Sequence, residues 1–578
     1  MALPKFALDQ DPTMHRFLRL WPALLVLLPL VSGQGATHLA SASAAGVQAT
    51  GSSGAPKISD NGRWIAFYSR ATNLTGNATG NQAVFLKDFI SGATEMISIS
   101  TTGAPANLNC YSSGYPSDDG SVVAFACDAT NLVVPDTNGR ADAFVRDRTT
   151  GMTTRVSVST SGVQGNERSW PYSMTPDGRY VVITSLASNF TVGDTNGAFD
   201  VFLHDRQLAV TEVISASPAG VIGDLESRGG PVAADGRYVI FDSAATNLVT
   251  GDGNGTRDVF RRDRLSGVTV RVSVSATGIE GNGSSVSIGV SPDGRYVMFN
   301  SVASNLIVGD TNGTSDIFVK DMATGLITQE NVSSSGVQGD GGCLNTGAIS
   351  ANGRIVVFTS LANNLTANDT NIGSDAFVRD RLLGTTSLLT VNAAGVQSGI
   401  PCFFFPSNPC GGQYLGTEVS RDGRVVILDH TGGALVPGGD LNGGDRDIIV
   451  NDWSYQLSSL APISVSQSGS LDLSARFDPL YAYVLGLSLD YTPGIPIGPR
   501  RVPLNADWLL DLSLTLGPPV FVGFTGNLDS NGRAVTSVNL PNDPALIGAS
   551  FRACFLTIDQ NFPLARGISN SLGLTVNP

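Results

Sequence analysis

The acidic residues of this chain recur in a fixed setting. Asp136-Thr137-Asn138-Gly139-Arg140-Ala141-Asp142 returns as Asp194 to Asp200, Asp252 to Asp258, Asp310 to Asp316 and, less perfectly, Asp369 to Asp375. Alternating carboxylate and amide side chains before a sharp Gly turn, with a carboxylate three residues after the Gly, can gather oxygens around a hard cation. Calcium is the ion such loops suggest. Its ligands would be Asp136, Asn138 and Asp142; Asp194, Asn196 and Asp200; Asp252, Asn254 and Asp258; Asp310, Asn312 and Asp316; and Asp369, Asn371 and Asp375. Two residues before the first Asp, where a further ligand is expected, stands Val134, Val192, Thr250 or Val308, so carbonyls or water would have to complete the shell. The same residues also suit an Asx turn in which Asp136 caps, Gly139 takes positive φ and Asp142 opens a strand. Recurrence in five copies fits either reading.

Other chemistry finds little material. The nucleophile elbow Gly-x-Ser-x-Gly is absent, and so are zinc spacings and a phosphate-binding Gly loop. Of four His, His15 falls in a leader segment, and His38, His204 and His430 lie at unrelated points. His204 takes the place of Arg146 in the neighbouring copy, which suggests a tolerated exterior position. Asp147, Asp205, Asp263, Asp321 and Asp380 could serve as paired carboxylates on a polysaccharide. A single active site breaks symmetry, however, and these acids repeat. They read as turn caps and surface ion pairs.

Six Cys in an exported chain are disulfide candidates. Cys110 and Cys127 flank Asp118-Asp119. Counting outward from a two-residue hairpin bracketed by Ser117 and Gly120 puts them opposite each other in a non-hydrogen-bonded pair, where a bridge is feasible. Cys402 and Cys410 are expected to pair within an insertion, with Cys343 as a competing partner and Cys554 left over.

Composition sets the frame for these residues. The 578 residues include 67 Gly and only 15% charged side chains, which favours many short strands joined by tight turns. A net charge of −14 makes nucleic acid and anionic membranes poor partners and cations good ones. Residues 1–35 read as an export signal: Arg16 and Arg19 precede an apolar run from Leu20 to Val31, small residues follow, and Met14 is a candidate start. No later stretch is long and apolar enough to span a bilayer.

The elements that must position the acids come from a repeat. The turn Asp177-Gly178-Arg179 occurs in seven copies, variants included. Its glycines Gly62, Gly120, Gly178, Gly236 and Gly294 are 58 residues apart, the next step is 59 and the last is 70. Each period holds four short apolar runs; in the third copy they are Ser169 to Thr175, Arg179 to Ser185, Asp200 to Asp205 and Thr211 to Ser217. A four-stranded meander cannot cover both its faces, so copies must pack on one another, and a ring of such sheets is a propeller. The segment from His38 to Ala44 resembles a fourth strand with no first strand before it. It is expected to close the ring as the outermost strand of the seventh copy and remove an open edge.

Ser291-Pro292-Asp293-Gly294-Arg295-Tyr296-Val297-Met298-Phe299, followed by Asp316-Ile317-Phe318-Val319-Lys320-Asp321 and Thr324-Gly325, resembles the repeat of TolB-like propellers of secreted bacterial proteins. The seven copies imply a seven-bladed ring, and the family this repeat resembles spans binding modules, peptidase-gating propellers and some lyases. The acidic loops are similar to the later part of calcium loops in other repeat families. After Trp453 the period stops. Runs at Tyr481 to Leu489, Trp508 to Leu514, Ala534 to Leu540, Phe551 to Ile558 and Leu572 to Val576 suit a small β-sandwich, and Leu504-Asn505-Ala506-Asp507 and Leu546-Ile547-Gly548 resemble a C-terminal module of secreted bacterial repeat proteins. The expected plan is all-β: signal 1–35, propeller 36–455, linker 456–468 and sandwich 469–578. The expected function is a secreted, monomeric, non-catalytic protein that binds a protein or polysaccharide on a propeller face, with calcium as a stabiliser. The alternative is a propeller hydrolase or lyase acting on polysaccharide.

Overall fold

The computed structural model describes residues 36–111, 114–391 and 397, then 417–421, 423, 425–430, 435, 442 and 445–452, and beyond 454 the backbone of the strands. The leader at 1–35, Cys402 and Cys410 lie outside the described residues, as does the side chain of Cys554. Residues 34–454 contain seven four-stranded antiparallel sheets, the blades of a β-propeller.

The third blade shows how the sequence builds each sheet. Ser169–Met174, Tyr180–Ser185, Asp200–Asp205 and Val210–Val213 pair in chain order, with a bulge between Pro171 and Ser173. The middle two strands are buried on both faces, so they read as continuous apolar runs. Their core is a cross-strand aromatic pair in most blades. Phe299 and Phe318 are register partners with ring centroids 5.7 Å apart, and Phe67–Phe85, Phe125–Phe144, Phe241–Phe260 and Phe358–Phe377 repeat the stack. Neighbouring blades share one core: Ile240, Val259 and Val272 of the fourth pack with Val297, Phe299 and Phe318 of the fifth. The Asp-Gly-Arg turn needs its glycine twice over. Gly236 has φ +73°, and a Cβ there would lie 2.3 Å from the Tyr180 ring of the preceding blade.

The ring closes through its N-terminus. Ala36–Leu39 pairs antiparallel with Asp447–Asp452 as the outer strand of the seventh blade. The strand ends earlier than the expected span from His38 to Ala44, because residues 40–48 already form the exit loop. Ser41 Oγ and Gln48 Nε2 in that loop donate to the two oxygens of Asp447, at 2.8 and 2.7 Å.

A second joint corrects the reading of His204. Lys87, Arg146, Arg262, Lys320 and Arg379, at equivalent positions of their third strands, donate to carbonyls in the preceding blade's exit turn. Lys320 Nζ reaches Val274 O and Ser275 O at 2.9 and 3.0 Å. His204 occupies this position in the third blade and is buried, not exterior. Its Nδ1 lies 2.9 Å from Thr211 Oγ1, and burial pushes its pKa down to about 4, so the third blade carries a neutral ring where five other blades carry a cation.

The C-terminal unit is also all-β. Its strands form a four-stranded sheet, a larger sheet around Ala482–Ser488 and Ser550–Ile558, and a two-stranded ribbon. Four of the five expected runs are strands, and Trp508 to Leu514 lies outside the described residues. Tyr455–Ser459, which begins at the last residue read as propeller, and Ile463–Ser464, within the segment read as a linker, are strands of this unit.

Candidate functional site

The five acidic loops each bring their two Asp together, and the protein itself supplies the groups between them. In the second copy Gln164 Nε2 donates to Asp136 Oδ1 at 3.0 Å and to Asp142 Oδ2 at 2.7 Å, and Arg155 pairs with Asp142 at 2.9 Å. Gln338 bridges Asp310 and Asp316, and Gln397 bridges Asp369 and Asp375. In the fourth copy the Arg271 guanidinium lies among Asp252, Asp258 and Glu280, at 3.1, 3.4 and 2.6 Å. Asn138 Nδ2 donates to Gly165 O, and Asn196, Asn254 and Asn312 repeat the bond to Gly223, Gly281 and Gly339. The Asn371 side chain accepts from Gly373 N at 2.6 Å. Asp136 Oδ1 accepts from the backbone of Asn138 and Gly139, and Gly139 has φ +60°. The third copy differs. Ile222 stands where the others have Gln or Glu, so Asp194 and Asp200 lack that bridging side chain, and Asn196 Nδ2 donates to Asp200 at 2.8 Å. Burial raises both carboxyls, Asp200 to about 6.

The acids after the third strands cap turns, and four of the five also form ion pairs. Asp205, Asp263, Asp321 and Asp380 each take two bonds from the Arg of an Asp-Gly-Arg or Asn-Gly-Arg turn, as Arg295 does for Asp321 at 3.0 and 2.8 Å. Those guanidinium groups hold Asp263 and Asp321 well below the usual carboxylate range. Asp147 caps its turn through Thr150 N. Among the other His, His38 is exposed with its ring edge-on to Phe89, and His430 lies in a seventh-blade strand, its side chain outside the described residues.

Among the described residues, two further departures from seven-fold regularity bring charged or aromatic side chains of different blades together. On the innermost strands, Lys57 of the first blade pairs with Glu418 of the seventh, and the Tyr115 ring lies 5.5 Å from Lys57 Nζ. Both charges there are matched. The second place is a recess of about 760 Å³ between the second and third blades, on the face of the acidic loops. Leu108, Tyr111, Asp128, Arg140, Arg168 and Trp170 line it, with Thr130, Gly139 and Ala141.

The recess exists because side chains shrink at aligned positions. In the fourth blade Arg257 pairs with Asp242 at 2.9 Å and with Glu226 at 2.6 Å. The second blade has Ala141, Ala126 and Asn109 at those places, and the next blade contributes Arg168 and Trp170. The walls are braced. Cys110 and Cys127 form a disulfide, with Tyr111 N donating to Ala126 O and Asp128 N to Asn109 O, both at 3.1 Å. This is the expected bridge in the expected non-hydrogen-bonded pair. It sets Tyr111 beside Asp128, to which its hydroxyl donates; the bond raises the tyrosine pKa. Trp170 lies against Phe199 with centroids 5.4 Å apart. Arg140 faces Glu167 at 3.7 Å, while Arg168 is exposed and makes no ion pair among the described residues. No sequence motif marks these residues. The available signal was the coincidence of two aromatics, Tyr111 and Trp170, at one aligned position with two alanines where the fourth blade carries an ion pair.

No family model matches the chain, and no curated protein does. Solved structures with a similar fold include a protein described as TolB of Agrobacterium tumefaciens, 16% identical, covering 48% of this chain and 79% of that one with a TM-score of 0.31. The periplasmic gluconolactonase PpgL of Pseudomonas aeruginosa is 18% identical, covering 58% and 83%, with a TM-score of 0.27. A prolyl endopeptidase is 12% identical, covering 73% and 54%, with a TM-score of 0.40. The class is set by the chain's own topology: a seven-bladed β-propeller.

Proposed function

We propose that this protein is a secreted, non-catalytic binding module that takes a polysaccharide chain on the acidic-loop face of its propeller, at the recess between the second and third blades. One observation carries the reading. The recess combines aromatic side chains from two blades with guanidinium and carboxylate groups, in a volume within the ~300–1,000 Å³ of small-ligand sites. A pyranose offers an apolar C–H face and a rim of hydroxyls, which such a lining suits, since Tyr and Trp join large apolar area to a polar handle. A catalytic reading would turn to Lys57, Glu418 and Tyr115, but that ion pair satisfies the charges a reaction would need free.

Secretion accords with the disulfide, since such bridges persist in oxidising compartments. Calcium enters the proposal as a stabiliser of the third copy, where Ile222 replaces the Gln or Glu side chain that lies beside the paired acids in the other copies. The C-terminal unit is read as a β-sandwich that attaches or sorts the propeller.

The full chain, displayed against glycan and peptide arrays, is expected to retain glycans, and Trp170→Ala to lose them while melting as the wild type does. Retention of peptides alone, or glycan binding that Trp170→Ala leaves intact, overturns the proposal.

A further inference from the structure

We propose that the recess selects acidic sugars, with a uronate-type carboxylate held by Arg168; this rests on the glycan-binding reading above. The argument is one of charge placement. The chain carries a net charge of −14, so a polyanion meets an unfavourable average field and needs a local reason to bind. The recess provides one. Its lining holds two guanidinium groups, Arg140 and Arg168, against one carboxylate, Asp128, which is occupied by the Tyr111 hydroxyl. Arg140 leans toward Glu167 at 3.7 Å, long for a pair, and lies in solvent. Arg168 has no counter-charge among the described residues, whereas arginines elsewhere on this ring are commonly committed to one. Arg257, at 2.9 and 2.6 Å from Asp242 and Glu226, is the example on the same face.

Geometry places Arg168 to act with the aromatics. It lies two residues before Trp170, and Ser169 between them is buried against Ser185, with the two hydroxyls 2.8 Å apart. Side chains alternate across a strand, so Arg168 and Trp170 fall on the same side of it. A planar guanidinium takes a carboxylate through two parallel N–H···O bonds, a geometry that hydroxyls and amides do not match. A neutral glycan would use the aromatics alone, while an acidic one would add the bidentate bond beside the ring it stacks.

The test is a titration of the full chain with oligogalacturonate and with its methyl-esterified, neutral form, at about 50 mM and about 500 mM salt. The acid form is expected to bind about tenfold or more tighter than the ester, with the advantage shrinking at high salt. Arg168→Ala should erase the difference by weakening only the acid form, and Arg168→Lys should restore part of it. Trp170→Ala should weaken both forms. Equal binding of acid and ester by the wild type overturns the acidic-sugar inference and leaves glycan binding standing. Binding of neither form overturns this inference, while the glycan array decides the broader reading separately. An acid preference that survives Arg168→Ala removes Arg168 from the role.

Discussion

The disulfide between Cys110 and Cys127 stands where Ser169 and Ser185, one blade on, share a hydrogen bond of 2.8 Å. The Ser pair repeats at Ser53–Ser69, Ser227–Ser243 and Ser285–Ser301, so a covalent bond has replaced a hydrogen bond at the blade that walls the recess. Replacing both Cys110 and Cys127 by Ser should restore the general arrangement. The lost bridge spans 17 residues, and loops of about that size contribute ~3 kcal/mol, offset by ~1 kcal/mol from a regained hydrogen bond. A net loss of about 2 kcal/mol is expected in thermal or denaturant melts. An unchanged midpoint would mean the bridge holds nothing that the serines do not.

The sixth blade carries half of the same device. Cys343 is buried and is the register partner of Ser360. Ser360→Cys should therefore form a second cross-strand bridge during oxidative folding, read by peptide mapping without reduction. Recovery of Cys343 as a free thiol in that variant would show that the sixth-blade strands lie too far apart.

The pairing of Cys110 with Cys127 was legible in the sequence, yet the path to it contains two offsets that cancel. The turn is wider than a two-residue hairpin, because Ser117 N bonds Val122 O. Pro116 therefore faces Val123 rather than Ser121, and a shift along the innermost strand returns Cys110 to Cys127. The blades were legible because Gly236 and its equivalents are forced by turn geometry and by the neighbouring aromatic. The recess was not. It depends on what Ala126 and Ala141 fail to fill, a property of two blades together that no single repeat displays. His204 misled for a related reason: position 204 faces the preceding blade, a contact absent from its own copy.

Ring closure gives a further expectation. Removing residues 36–48 takes away a whole strand pairing with Asp447–Asp452 and leaves the buried Asp447 without Ser41 and Gln48. The deletion should lower the melting temperature and promote association through the exposed edge. Gln48→Ala alone should destabilise by about 1 to 3 kcal/mol, since it strips one bond from a buried carboxylate. A deletion variant that melts with the wild type and stays monodisperse would refute closure by this strand.

The third blade holds two buried groups that titrate in one window with opposite effects. Asp200 is fully buried with a pKa raised from 3.8 to about 6, so the folded chain binds the extra proton there. Its contribution to stability is complete below about 4 and is lost as pH rises through 6. His204 has a pKa lowered from 6.5 to about 4, so the unfolded chain binds the extra proton, and its contribution is complete above 6.5 and lost as pH falls through 4. In the wild type the two slopes oppose each other between about 4 and 6. Relative to wild type, His204→Gln should therefore melt lower as pH rises across that window, and Asp200→Asn should melt higher. Millimolar calcium discriminates further, because an ion held by Asp194 and Asp200 favours the ionised carboxyl. It should raise the wild-type melting temperature near neutral pH and flatten the slope that His204→Gln reveals, and chelator should reverse both effects. Melting curves that calcium leaves unchanged would mean that Asp194 and Asp200 serve the turn alone.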